Sequence, residues 1–112
     1  MLVADDSPIA LRVLTRTLAD HGLPVRAVSS ASEARAVDTR GVAVAVLDLD
    51  LGDGSGVDVA EALRAARPVL PIAFFSSGAS PAVVARARAI GPIFDKLSDL
   101  DALTTWVESE LR

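Results

Sequence analysis

Asp5, Asp6, Asp48, Ser76 and Lys96 are the side chains of this sequence whose chemistry and placement go together. Asp5-Asp6 follows the apolar run Met1-Leu2-Val3-Ala4, and Asp48 ends Val42-Ala43-Val44-Ala45-Val46-Leu47. Ser76 follows Pro71-Ile72-Ala73-Phe74-Phe75, and Lys96 follows Pro92-Ile93-Phe94-Asp95. Continuous β-branched and aliphatic runs read as strands buried on both faces, and in parallel α/β sheets ligands sit at the C-terminal ends of the strands. The four strand ends therefore bring these residues to one edge of one sheet. Three carboxylates in one crevice repel one another, which raises their proton affinity unless a cation neutralises them. A hard divalent ion with oxygen ligands suits them, Mg²⁺ rather than zinc, because the chain has no cysteine and a single histidine. A carboxylate beside such an ion can attack a phosphoryl group to give an aspartyl phosphate. The metal, a lysine ammonium and a hydroxyl would then stabilise the charge on the transferring oxygens.

The elements that must hold these residues alternate along the chain. Ser7-Pro8 reads as an N-cap and a preset first helical residue. The helix it opens presents Ile9, Val13, Leu14 and Leu18 to one face and ends at His21-Gly22. Pro24 precedes a weaker strand, Val25 to Val28. Ser30 with Glu33 forms a capping box for a second helix running to about Arg40, stopped by Gly41. The central strand, Val42 to Leu47, leads through Asp48 and a glycine-rich turn to a third helix opened by Gly56, with Val57, Ala60 and Leu63 inward. Ser80-Pro81 starts a fourth helix that stops at Gly91, and Ser98 caps the fifth, with Leu100, Leu103, Trp106, Val107 and Leu111 at helical spacing. Five strands alternating with five helices imply an α/β fold, a parallel sheet between helical layers with right-handed crossovers.

Composition bounds what the chain can be. Its 112 residues, 51% of them hydrophobic, suit one domain with one core, so residues 1–112 are read as a single domain. No apolar run reaches the ~18 residues a membrane span needs. The absence of cysteine fits a reducing compartment, and the cytoplasm is the expected location. With a net charge of -4 and its eleven Lys and Arg scattered, the domain is expected to bind no nucleic acid directly and no membrane. Asp53 and Asp58 read as ordinary loop and first-turn acids, His21 as a cation at a helix C-terminus, Phe94 and Trp106 as core or interface anchors, and Arg86-Ala87-Arg88 as a solvated face.

Over its whole length the pattern resembles the receiver domains of two-component response regulators. An acid pair follows the first strand (Asp5, Asp6), an aspartate the third (Asp48) with a glycine eight residues on (Gly56), a hydroxyl the fourth (Ser76) and a lysine the fifth (Lys96). The resemblance implies a flavodoxin-like (βα)5 sandwich with strand order 2-1-3-4-5. It also implies that Asp48 is the phospho-acceptor and that Mg²⁺ binds Asp5, Asp6, Asp48 and the backbone carbonyl of Asp50. Ser76 would turn to meet the phosphoryl group and Lys96 would pair with another of its oxygens. The donor would be a histidine kinase or a histidine phosphotransfer protein. The chain would be a single-domain regulator or a piece of a longer response regulator or hybrid kinase, signalling to an output domain or to a second copy through the fourth and fifth helices. It would catalyse only its own phosphorylation and slow dephosphorylation, and so would not be an enzyme.

Three positions depart from that pattern. Leu97 stands where a cis proline commonly follows the lysine, and a non-proline cis bond costs roughly 2.5–4 kcal/mol, so a trans bond is expected. Ile93 takes the place of the usual aromatic switch residue and has no ring to swing inward. Gly52 replaces a frequent proline, which would loosen its loop. Two other readings compete. Val46-Leu47-Asp48-Leu49-Asp50 also resembles the first motif of haloacid-dehalogenase-like phosphatases, although the acidic pair then comes in the wrong order and the chain is short for enclosing a substrate. Ile93 and Leu97 favour a pseudo-receiver that binds partners without phosphorylation; retention of every acidic residue argues against it.

Overall fold

The computed structural model describes residues 1–112. Its elements alternate as β1 (Leu2–Ala4), α1 (Pro8–Asp20), β2 (Arg26–Val28), α2 (Ala31–Arg35), β3 (Ala45–Leu47), α3 (Gly56–Ala66), β4 (Ile72–Ser76), α4 (Pro81–Arg88), β5 (Ile93–Asp95) and α5 (Leu100–Glu110), with a 3-10 turn at Thr39–Gly41. All strand pairs are parallel, in the order β2-β1-β3-β4-β5 that the resemblance implies.

The pleat sorts the apolar strands into two cores. Leu2, Ala4, Ala45, Leu47, Ile72 and Phe74 face α2, α3 and α4, where they meet Ala31, Val57, Ala60, Leu63 and Ala87. The alternate residues Val3, Val46, Ala73 and Phe75 face α1 and α5, against Leu14, Leu18, Leu103 and Val107. Both faces of the sheet are covered, which is why the strands carry no polar alternation. Burying each large side chain here contributes about 1.5–3 kcal/mol.

Register then fixes the functional edge. Ala4 pairs with Leu47, so Asp5 and Asp48 each stand one residue beyond a paired row, and the Asp48 N–H donates to the Ala4 carbonyl at 2.9 Å. Ser76 pairs with Asp95, and the Lys96 N–H donates to the Ser76 carbonyl at 3.1 Å. No helix is long and apolar enough to cross a membrane.

Several elements differ from their sequence expectation. Ile9 and Val13 are exposed, 78% and 49%, while Leu14 and Leu18 are buried. At roughly 100° per residue, Ile9 and Val13 share one stripe of α1, and Leu11, Leu14 and Leu18 share another on the far side. The second helix ends at Arg35 rather than near Arg40, because Asp38 caps the separate 3-10 turn through the Arg40 N–H at 3.0 Å. β3 begins at Ala45, although Val42 and Val44 are buried beside it. Ser98 does not cap α5. Asp99 holds the N-cap position with no side-chain cap bond, its carboxylate accepting instead from the Asp95 N–H at 2.9 Å. Ser7, Ser30 and Ser80 do cap their helices, accepting from Ala10, Glu33 and Val83.

Gly91 is more than a helix stop. A Cβ placed on it would lie 1.8 Å from the Ile72 carbonyl oxygen, so the turn after α4 is pressed onto the backbone entering β4. Gly91→Ala should therefore force these segments apart and cost about 3 kcal/mol, the upper range for overpacking a tight core, measured as a shift in urea unfolding.

Candidate functional site

Asp5 and Asp48 are buried, 2% and 7% exposed, whereas Asp6 is exposed beside them. One carboxylate oxygen from each of the three lies within 4.8 Å of the others. The Lys96 ammonium reaches into this cluster and bonds Asp5 Oδ2 and Asp48 Oδ2, each at 2.7 Å. The other oxygens are held locally: Asp5 Oδ1 accepts from the Ser7 N–H at 2.9 Å, and Asp48 Oδ1 from the Asp50 N–H at 3.2 Å. Burial disfavours the Lys96 ammonium, but the hydrogen bonds it donates to Asp48 and Asp5 and their charges outweigh it, and its pKa is raised.

Three carboxylates against one ammonium leave two negative charges unmatched in a largely buried pocket. Beside them, no backbone or side-chain donor of the protein meets the Asp50 carbonyl oxygen, while the Asp50 carboxylate is occupied with the Gly52 N–H at 2.9 Å. Hard oxygen donors, surplus negative charge and a free carbonyl fit a divalent ion of the Mg²⁺ kind. Asp5, Asp6, Asp48 and the Asp50 carbonyl are the residues that would hold it.

Ser76 arrives at the same edge but is not bonded to the acids. It is buried, 5% exposed, and its hydroxyl donates to the Gly78 carbonyl of its own loop at 3.3 Å. Ile93 is half-buried and lines, with Ser76, Val84 and Arg88, a cleft of about 240 Å³ between the sheet edge and α4. The Lys96–Leu97 bond is trans, like every peptide bond in the chain, and Leu97 is 90% exposed.

The glycine-rich turn is more ordered than its composition suggests. Gly52 has φ +76°, a conformation closed to the proline it replaces, and a Cβ there would stand 3.2 Å from Asp6 Oδ2. Leu51 N–H to Gly54 carbonyl, at 3.0 Å, and Gly56 N–H to Leu49 carbonyl, at 2.9 Å, close the turn, so it is tied and not loose. A Cβ on Gly56 would fall 1.8 Å from the Asp48 carbonyl oxygen, which explains the glycine eight residues after the acid. Asp53, read as an ordinary loop acid, accepts from the Ala31 N–H at 2.7 Å and the Ser32 N–H at 3.1 Å, the first amides of α2. Those bonds lower its pKa. Asp53 sits 22 residues from Ala31, so local sequence carries no signal of the contact. Asp58 and Glu61 on α3 pair with Arg86 on α4, so that arginine is not merely solvated, and Ala87 between the two arginines is buried. His21 bonds the Thr17 carbonyl near the end of α1, and Phe94 and Trp106 pack at 6.3 Å between ring centroids.

Comparison with known proteins agrees with this geometry. The response regulator receiver domain family matches residues 1–107, and the chain belongs to that family, the receiver modules of two-component signalling. It is similar to the photosynthetic apparatus regulatory protein RegA of Cereibacter sphaeroides, 36% identical over 92 residues, covering 81% of this chain and 50% of that protein. It is also similar to the acid tolerance regulatory protein ActR of Sinorhizobium medicae, 44% identical over 68 residues, covering 60% of this chain and 35% of that protein. The chain thus spans about half, or less, of the length of these curated relatives. Among solved structures, the non-phosphorylated HemR receiver domain from Leptospira biflexa superposes with a TM-score of 0.85 at 25% identity, covering 97% of this chain and 90% of that one.

Removing the ammonium tests its role in the pocket. Lys96→Met should lower stability by about 3 kcal/mol in urea without divalent ions, the low end for breaking a buried ion pair. Adding Asp5→Asn to that variant should restore part of the loss, because one of the stranded charges is then gone.

Proposed function

We propose that this domain accepts a phosphoryl group on Asp48 from a phosphohistidine, in a Mg²⁺-dependent step, and thereby changes what it binds. An Asp48 oxygen attacks phosphorus and the P–N bond of the phosphohistidine breaks. Its electron pair stays on the imidazole nitrogen, leaving a histidine and an aspartyl phosphate. Bound at Asp5, Asp6, Asp48 and the Asp50 carbonyl, Mg²⁺ would supply charge neutralisation for the phosphoryl oxygens. Lys96 exchanges part of its bonding to Asp48 for a phosphoryl oxygen, and Ser76 turns its hydroxyl from the Gly78 carbonyl toward another. The observation that carries this reading is the convergence of Asp5, Asp6 and Asp48 within 4.8 Å around one lysine.

The partner that fits is a histidine kinase or histidine phosphotransfer protein in the cytoplasm. On this chain the docking surface would include Ile9 and Leu97, 78% and 90% exposed, which stand four residues after Asp5 and one after Lys96 in sequence. The signal leaves by α4 and α5, toward an output domain or a second copy. With Ile93 in place of a ring, transmission relies on movement of α4 itself. The domain turns over no external metabolite and is no enzyme in that sense.

Incubation with acetyl phosphate, with and without Mg²⁺, should add one phosphoryl group to the intact mass only when the ion is present, and none to Asp48→Asn. Neither adduct nor phosphate release from the native chain would overturn phosphotransfer in favour of a pseudo-receiver. Sustained hydrolysis of small phosphate esters would favour the phosphatase reading.

A further inference from the structure

We propose that Asp53 is a positioning residue for the metal site, acting through the turn between β3 and α3. The turn carries the one backbone ligand of the site, the Asp50 carbonyl, and is joined to the acid cluster by the Asp50 N–H on Asp48 Oδ1 at 3.2 Å. Its tip, Gly52 and Asp53, is exposed, while Leu49 and Leu51 at its base are buried in the core. Asp53 supplies an anchor at the tip, where its two carboxylate oxygens take the Ala31 and Ser32 amides at 2.7 and 3.1 Å. Contact reinforces the bonds: a Cβ on Gly54 would stand 3.1 Å from the Ala31 Cβ, so the turn lies directly against the first residue of α2. Ala31 is itself in the core, 1% exposed, and cannot follow the turn outward.

α2 also has a cap within its own sequence. Ser30 already caps that helix by accepting from the Glu33 N–H at 3.0 Å, and Glu33 bonds back to the Ser29 and Ser30 hydroxyls. The second cap comes from outside the helix, and its structural effect falls on the turn. Without it, the turn would keep its internal bonds and the buried side chains of Leu49 and Leu51 but lose its two hydrogen bonds to α2, and the Asp50 carbonyl would be held less firmly until the ion bound. Ordering that is deferred to binding weakens binding.

This inference rests on the proposed metal site, and the test separates the two. Mg²⁺ affinity of the native chain, Asp53→Ala, Asp53→Asn and Ser30→Ala is measured by calorimetry with no phosphoryl donor. The amide resonances of Asp50 and Gly52 are followed through the same titrations. Asp53→Ala should weaken Mg²⁺ about tenfold, the lower range for removing a group that orients a metal ligand. Asp53→Asn retains one acceptor oxygen and should fall between Asp53→Ala and the native chain. Ser30→Ala removes the helix's own cap and should leave the affinity unchanged. Equal Mg²⁺ affinity in Asp53→Ala and the native chain would overturn the positioning role alone. Loss in Ser30→Ala as large as in Asp53→Ala would overturn it too, by showing that α2 stability is what matters. Absence of Mg²⁺ binding to the native chain would overturn the metal site itself, and the positioning role with it.

Discussion

The structure depends on one buried charge contact, the Lys96 ammonium set between Asp5 and Asp48 at 2.7 Å from each. Two carboxylates this deeply buried are costly unless a cation stands between them, because the low-dielectric interior strengthens repulsion as much as attraction. The lysine comes from the end of β5 and the acids from the ends of β1 and β3, so the contact exists only when the whole sheet is assembled in its order. Lys96 meets the chain's own needs without exhausting the site's charge. Asp6 and the surplus on the other two acids remain, and that residue of charge is what a divalent ion would take up.

The rest of the fold reads as support for this edge. Strand register sets Asp5 and Asp48 side by side, and two close backbone approaches keep neighbouring segments from drifting, Gly56 on the Asp48 carbonyl and Gly91 on the Ile72 carbonyl. The α4 side is held differently. One residue of that helix, Ala87, is fully buried, and its exposed pairing to α3 runs through Arg86 to Asp58 and Glu61. Exposed ion pairs are weak. The molecule thus joins a firmly packed acid cluster to a lightly held helix, with the cleft beside Ile93 between the sheet edge and that helix.

Much of this was legible in the sequence because it rests on periods and punctuation. The apolar runs announced strands covered on both sides, and Ser-Pro and Ser-x-x-Glu announced helix starts. The acids, hydroxyl and lysine after those runs had to share one sheet edge. The structure departs from the sequence pattern where the decisive partner lies far along the chain or where an apolar residue falls on a solvent-facing stripe. Ile9 and Val13 are apolar but stand on the stripe of α1 away from the core. Ser98 looked like a cap, yet the Asp95 to Asp99 turn occupies that role's geometry. Asp53, Gly56 and Gly91 carry meanings that only the packed backbone supplies, since each answers to a group 8 to 22 residues away. The bond from Lys96 to Asp48 joins residues 48 apart, and nothing short of the strand order could place it.

The proposed phosphotransfer requires that Asp48, and no other acid of the cluster, form the covalent bond. The direct measurement is to treat the native chain with acetyl phosphate and Mg²⁺ and reduce the product at once with borohydride, which converts an aspartyl phosphate to homoserine. Peptide mass mapping then locates the change. Homoserine at position 48 alone is the predicted result. Homoserine at Asp5, Asp6 or Asp50 instead would place the chemistry on another acid and rule out Asp48 as the acceptor.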